Sequence, residues 1–443
     1  MYQYVSKLIL YRNFFDDSII HSLSNTFYDL DQVSEEQLKE NIKLKQEFIS
    51  CINQQIGDLL QVATTYGFDN NLWQNYITYK MVTSENPFSI SSEGIGAREG
   101  SIKEIACSDL SLIKELFWFD FSTIEKRLGV NIFQLITNYT ALSKDIKSYN
   151  HNVSVKVREL SNNISKCNNA WELYDVITLF YKVSGVGKLG LNKAFRINND
   201  RDIAVIEPIT NTENILLTDL IGYNIQKKKL IDNTEAFVLG KKANNVLLFG
   251  DSGTGKSTCV KAILNEYYSR GLRMIEIYKH QFRDLSQVIS QIKNRNYKFI
   301  IFMDDLSFEE FEIEYKYLKA MIEGGLETKP DNVLIYATSN RRHLIRETWT
   351  DRSDISKDEL HRSDTMQEKL SLVSRFGVTI GFLAPNKNEF NEIVKGIAKN
   401  IGDIGLTEEE LYAKANMWEL SHGGRSGRTA KQFIHYLMGQ IVD

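Results

Sequence analysis

The stretch NVLLFGDSGTGKST, residues 245–258, decides the fold. Its first six residues form a short, nearly continuous apolar run, as expected of a strand buried on both faces. From Gly250 the chain reads GDSGTGKS (250–257), a complete G-x-x-x-x-G-K-[ST] match at the strand-to-helix junction that this motif requires. Each residue type has a chemical reason. Gly250, Gly253 and Gly255 let the backbone curl, so that the loop Asp251–Gly255, with Ser252 and Thr254 between the glycines, aims its N–H groups at phosphates. The helix that follows, through Ser257 and Thr258, offers its positive N-terminal end to the same anion. Lys256 is placed to reach the β- and γ-phosphates, and the Ser257 hydroxyl to ligate Mg²⁺.

Working outward, four further apolar runs, RMIEIY (273–278), KFIIFM (298–303), NVLIYAT (332–338) and VTIGFL (378–383), alternate with helical segments such as STCVKAILNEYY and FEIEYKYLKAMIEGG. Five strands separated by helices predict a parallel five-stranded sheet with helices on both faces. The run FIIFMDD (299–305) ends its strand in two carboxylates, where open α/β sheets bind ligands. Asp304 is suited to hold Mg²⁺ through its water shell, and Asp305 to polarise an attacking water. Asn340, ending the next strand, is able to bond a water and a γ-phosphate oxygen together, although a strand-ending Asn is more often a turn former. After Pro385 the pattern is helical to the end. Cys259, on the phosphate-loop helix, reads as a packing residue.

Residues 1 to about 180 read as mainly helical from their three- and four-residue apolar spacing. Ser34 and Gln37 form a capping box, and Ser108 is expected to cap a helix burying Leu110, Ile113, Leu116 and Phe117. Polar stretches at 84–101 and 143–168 are expected to interrupt the helices. Around 184–208 a small β element is expected, with GVGKLG as a hairpin turn.

Composition narrows the function classes. The 443 residues carry 53 Lys plus Arg against 57 Asp plus Glu, a formal charge of −4, so the protein is not basic overall. The four cysteines form no C-x-x-C pair and the seven histidines show no metal spacing. No apolar stretch approaches the ~20 residues of a membrane span, and no signal peptide is evident. A cytoplasmic protein without a membrane is expected. The basic runs Lys227–Lys229 and Lys241–Lys242 read as solvated surface.

The phosphate loop, the acidic and polar strand ends, SRFG (374–377) and GGRSGRT (423–429) occur in the order that resembles an AAA+ ATPase, over about residues 215–443. More closely, LIGYNIQKKKL, DDLSFEE, GGLE, IYATSNRRHL, EKLSLVSRFG and HGGRSGRTAKQF resemble a bacterial family of uncharacterised AAA+ ATP-binding proteins. The resemblance implies ATP and Mg²⁺ as ligands, with Ile221 and Gly222 lining an adenine pocket. It makes Asn340 a γ-phosphate sensor, Arg375 a finger reaching a neighbouring subunit's site, and Arg428 a phosphate contact within its own subunit; Arg341, Arg342 and Arg352 are the competing cations. Together with the periodicity, it gives the expected division: a mainly helical N-terminal domain of unassigned role (1–183), a β-containing connector (184–214), an AAA+ α/β nucleotide-binding domain (215–385) and a helical lid (386–443).

Many AAA+ motors end the acidic strand in Asp-Glu. Here it is Asp304-Asp305, which shifts the expectation toward slow, switch-like turnover. Glu309 and Glu310 read as solvated helix-start charges. At the position of an aromatic pore loop stand Tyr278 and Phe282, without the aromatic-apolar-Gly pattern. The function implied is ATP hydrolysis by a homo-oligomer with shared active sites that remodels or loads a macromolecular partner, protein or DNA. The alternative is a nucleotide-gated switch that recognises such a partner in its ATP state.

Overall fold

The computed structural model describes residues 1–14, 16–96, 99–141, 150–200, 203–308, 314–323, 330–340, 373–402 and 404–440. They divide into two compact units, Met1–Asn192 and Lys193–Asp443.

The first unit is helical around an aromatic core. Asp17 caps the helix Ser18–Asp31 by accepting from the amides of Ile19 and Ile20. The Ser34–Gln37 capping box is present and opens the short helix Glu35–Glu40. The long helix Ile42–Tyr66 stops where Gly67 takes the left-handed conformation, with φ 63°. Phe121 and Phe133 stack with ring centroids 4.1 Å apart, and Trp73 meets Phe121 edge-on. The carboxylate of Asp109, 1% exposed, is satisfied by the amides of Ile9, Leu10 and Tyr11.

Three expectations for this unit change. Ser108 is not a cap: the helix runs Ser101–Phe117 through it, while Leu110, Ile113, Leu116 and Phe117 are buried as expected. The polar stretches carry helices of their own, Pro87–Ile95 and His151–Ile164, each started by an Asn cap, Asn86 and Asn150. GVGKLG contributes a turn of helix, Gly187–Leu191, rather than a hairpin turn.

The second unit holds one sheet of seven strands: β1 (Ala194–Asp200), β2 (Ile203–Pro208), β3 (Val246–Gly250), β4 (Leu272–Glu276), β5 (Lys298–Met303), β6 (Val333–Ser339) and β7 (Val378–Phe382), in the order β2-β1-β4-β5-β6-β3-β7. The five expected strands are all present and all parallel, β3 lying between β6 and β7. The sheet is nevertheless seven-stranded, not five-stranded. The antiparallel hairpin β1–β2 joins it along β4, with Ala194 opposite Met274. That pairing spans about eighty residues of chain and leaves no local signature, which is why the segment read as a connector.

Helices α1 (Asn224–Val238), α2 (Lys256–Tyr267), α3 (Leu285–Ile292) and α4 (Glu314–Glu323) accompany the strands. α5 (Lys387–Ile401), α6 (Glu408–Ser421) and α7 (Gly427–Met438) follow β7 and bury a separate core that includes Phe390, Ile393, Leu411, Phe433 and Ile434. The buried strands β5 and β6 place their C-terminal ends beside that of β3.

A candidate phosphate-binding site at the ends of the central strands

The loop between β3 and α2 is shaped by its glycines. Gly250, Gly253 and Gly255 have φ of 131°, 75° and 94°, all in the region that side chains disfavour. At Gly250 an added Cβ would overlap the carbonyl of Phe382 on β7, so no other residue fits there. The loop is also held from outside. The Asp251 amide donates to Phe382 O at 2.9 Å, and the Asp251 carboxylate accepts from the Ala384 amide at 2.6 Å. The Arg428 amide, at the start of α7, donates to Gly253 O at 3.1 Å.

Lys256 is 6% exposed. Its ammonium donates to Gly250 O at 2.9 Å, Asp251 O at 2.7 Å and Asn340 Oδ1 at 3.0 Å. Burial pushes this lysine below its ordinary value; Asp251, Asp305 and Asp304 draw it back up, and the Arg428 charge opposes them. The Ser257 hydroxyl donates to Asp304 Oδ1 at 2.6 Å. Asn340 Nδ2 donates to Asp305 Oδ1 at 2.7 Å. Asp305 has φ 51°, a conformation that Asp tolerates better than most residues.

Above the loop lies a cavity of about 880 Å³, within the usual range of ligand sites. Of the residues expected from the sequence, Ile221, Ser252, Gly253, Thr254, Gly255, Lys256, Ser257, Thr258, Asp304, Asp305, Asn340 and Arg428 line it. Gly222, Asp251 and Arg375 do not line it. Gly222, φ 80°, provides the bend between Ile221, which enters the cavity, and Tyr223, whose hydroxyl donates to Leu383 O at 2.9 Å. Asp251 is turned toward Ala384. Arg375 sits just before β7. Arg341, Arg342, Arg352, Glu309 and Glu310 lie outside the described residues.

An apolar wall faces the polar floor. Ile393 and Ile397 from α5, with Ile401 at its end, stand one turn apart and join Ile221. Ile221 packs so closely on α5 that a Cβ at Gly396 would approach its Cγ1 to 2.7 Å. Sequence reasoning missed Thr338, Lys431 and His435, which also line the cavity. The last two have a findable signal: with Arg428 they share the i, i+3, i+7 face of α7. Thr338 has none, because a threonine in a strand is an ordinary β former. Cys259 is 1% exposed and packs in the core under the sheet, and burial pushes its thiol up to about 12. Phe282 is buried, 2% exposed, leaving Tyr278 as the exposed aromatic of the segment read against a pore loop.

Oxygen donors suited to a hard cation meet at the cavity floor, where Ser257 and Asp304 touch. Among the described residues no group of three or more His, Cys, Asp or Glu gathers to hold a metal. A cation here would therefore draw its other ligands from water and phosphate, which is how Mg²⁺ is usually held. No described helix is long and apolar enough to cross a membrane.

A glycine loop running from a buried parallel strand into a helix, beside an acid-ended strand and a polar-ended strand, defines a phosphate-loop-like α/β unit. The chain belongs to the family described as "Protein of unknown function (DUF815)", whose match covers residues 191–441, and this bears out the resemblance to an uncharacterised family. The chain is also similar to the replication factor C large subunit of Methanococcus maripaludis, 37% identical over 76 residues, and to that of Methanococcus vannielii, 38% identical over 76 residues. Each stretch is 17% of this chain and 15% of the relative. Among solved structures, a RuvB mutant from Thermotoga maritima is 18% identical with a TM-score of 0.34, covering 49% of this chain and 63% of that one. A second RuvB variant from the same organism is 15% identical with a TM-score of 0.32, covering 50% of this chain and 72% of that one.

Proposed function

We propose that this protein is an ATPase that binds ATP with Mg²⁺ at the loop Gly250–Ser257 and hydrolyses it slowly, in the cytoplasm. The observation that carries the reading is the convergence at one cavity floor of Lys256, the Ser257–Asp304 pair and the Asp305–Asn340 pair. In this reading the loop amides and Lys256 bind the β- and γ-phosphates. Asp305 and Asn340 orient the attacking water and keep it aligned with the γ-phosphorus. Ile221 and the isoleucines of α5 exclude bulk water from the base. Arg428 balances phosphate charge. Ser257 and Asp304 would hold Mg²⁺, which when bound neutralises phosphate charge.

The further parts of the proposal concern assembly. The protein acts as a homo-oligomer in which Arg375, outside its own cavity, completes a neighbour's site; residues 386–443 serve as a lid, and residues 1–183 pass the change to a protein or DNA partner. The Asp304-Asp305 pair, whose second carboxylate is one methylene shorter than that of an Asp-Glu pair, supports turnover of a switch rather than of a fast motor. Phosphate release from ATP by the purified chain, against Asp305→Asn, tests the proposal. Release that is abolished in the variant while ATP binding persists supports it, and release that is equal in both contradicts it.

A further inference from the structure

Thr338 lies in β6, two residues before Asn340, and is 1% exposed. Its hydroxyl has one proton, and this goes to Asp304 Oδ1 at 2.5 Å. Its oxygen accepts from the Asp305 amide at 2.9 Å, and its main-chain carbonyl from the Leu306 amide at 2.7 Å. Three successive residues after β5 thus hang on one threonine of the neighbouring strand. Asp304 Oδ1 accepts from Ser257, from Thr338 and, at 3.2 Å, from the Asp305 amide. Among the described residues Asp304 Oδ2 takes no hydrogen bond, and Asp304 lines the cavity.

We infer that Thr338 is a positioning residue of the phosphate site, its hydroxyl fixing Asp304 and Asp305 so that one carboxylate presents an oxygen to a cation and the other to water. The inference rests on the ATPase reading above. Two physical points carry it. A left-handed φ at a non-glycine residue is strained and persists only where the surroundings over-determine it; here the Thr338 hydroxyl and carbonyl do so, holding the peptides on both sides of Asp305. A buried hydroxyl is itself a cost unless bonded, and on a strand reading VLIYATS a valine would match the shape without that cost. The hydroxyl is retained where its two bonds end on the acidic pair.

The test uses the full chain with Thr338→Val, which keeps the shape, Thr338→Ala, which shares only the loss of the hydroxyl, and Thr338→Ser, which restores it. Two quantities are read: ATP affinity by calorimetry with EDTA and with Mg²⁺, and phosphate release as a function of Mg²⁺ concentration. Removing a group that orients a metal-holding side chain typically costs about 10–100-fold in metal affinity or activity. The Val and Ala variants are expected to keep metal-free ATP affinity within about twofold, while needing about tenfold more Mg²⁺ and turning over about tenfold more slowly. Ser is expected to return both to within about threefold of wild type. Val matching wild type in Mg²⁺ dependence and turnover overturns the inference, as does a Ser variant as impaired as Val. A wild type that neither binds nor hydrolyses ATP brings down the functional reading itself. An active wild type with an unaffected Val variant removes only the role of Thr338.

Discussion

Lys256 Nζ and Asn340 Oδ1 are 3.0 Å apart, joining the phosphate loop to the end of β6. The other end of the same amide donates to Asp305 at 2.7 Å, so Asn340 links the loop's ammonium to the Asp305 carboxylate. Asn340→Ala should leave ATP affinity within about threefold and lower turnover about a hundredfold, equivalent to about 2.7 kcal/mol of barrier. Calorimetry and steady-state phosphate release separate the two effects.

Two glycines should respond oppositely to alanine. Gly250, with φ 131° and the Phe382 carbonyl where a Cβ would go, should lose about 2–4 kcal/mol as Gly250→Ala. Gly57 lies within the helix Ile42–Tyr66 with nothing within 4 Å of an added Cβ, and Gly57→Ala should gain about 0.5–1 kcal/mol. Denaturant unfolding of the two variants measures both signs.

The five parallel strands were legible in the sequence because a strand buried on both faces is apolar at every position, as VLLF and FIIFM are. The acidic pair was legible because it follows such a run. What escaped was whatever depends on distant partners. The hairpin Ala194–Pro208 read as a small β element from its short apolar runs, and only its pairing with β4 makes it part of the sheet. Thr338 is distinguished from any other strand threonine solely by Asp304 across from it. Ser108 misled because a serine before an apolar stripe suggests a cap, whereas the stripe continues back to Ser101. The Asn86-Pro87 start of a helix was visible in principle, Asn being a good cap and Pro a good first residue.

Arg375 should act on a neighbour's nucleotide. Turnover per subunit should rise with protein concentration, and Arg375→Ala should lose about a thousandfold in turnover with ATP affinity unchanged. Turnover that is independent of concentration and unaffected by the substitution contradicts the shared site.

The Cys259 thiol, raised from 9.0 to about 12 by burial, keeps its proton in the folded chain well past the pH at which the unfolded chain releases it. The folded state therefore binds the extra proton, and the stability this contributes is complete below pH 9 and lost as pH rises from 9 toward 12. The loss is about 1.4 kcal/mol per pH unit for one proton. Denaturant midpoints of wild type and Cys259→Ala should therefore converge in that window, and native protein at neutral pH should resist alkylation at this thiol. Rapid alkylation of folded protein contradicts the burial argument.

The most direct measurement is titration calorimetry of ATP with Mg²⁺ into the purified, folded chain, alongside Lys256→Ala. One site per chain is expected in the wild type, with affinity weakened at least about a hundredfold in the variant, a loss of about 2.7 kcal/mol. No heat in the wild type, or equal binding with and without the Lys256 ammonium, would contradict the account.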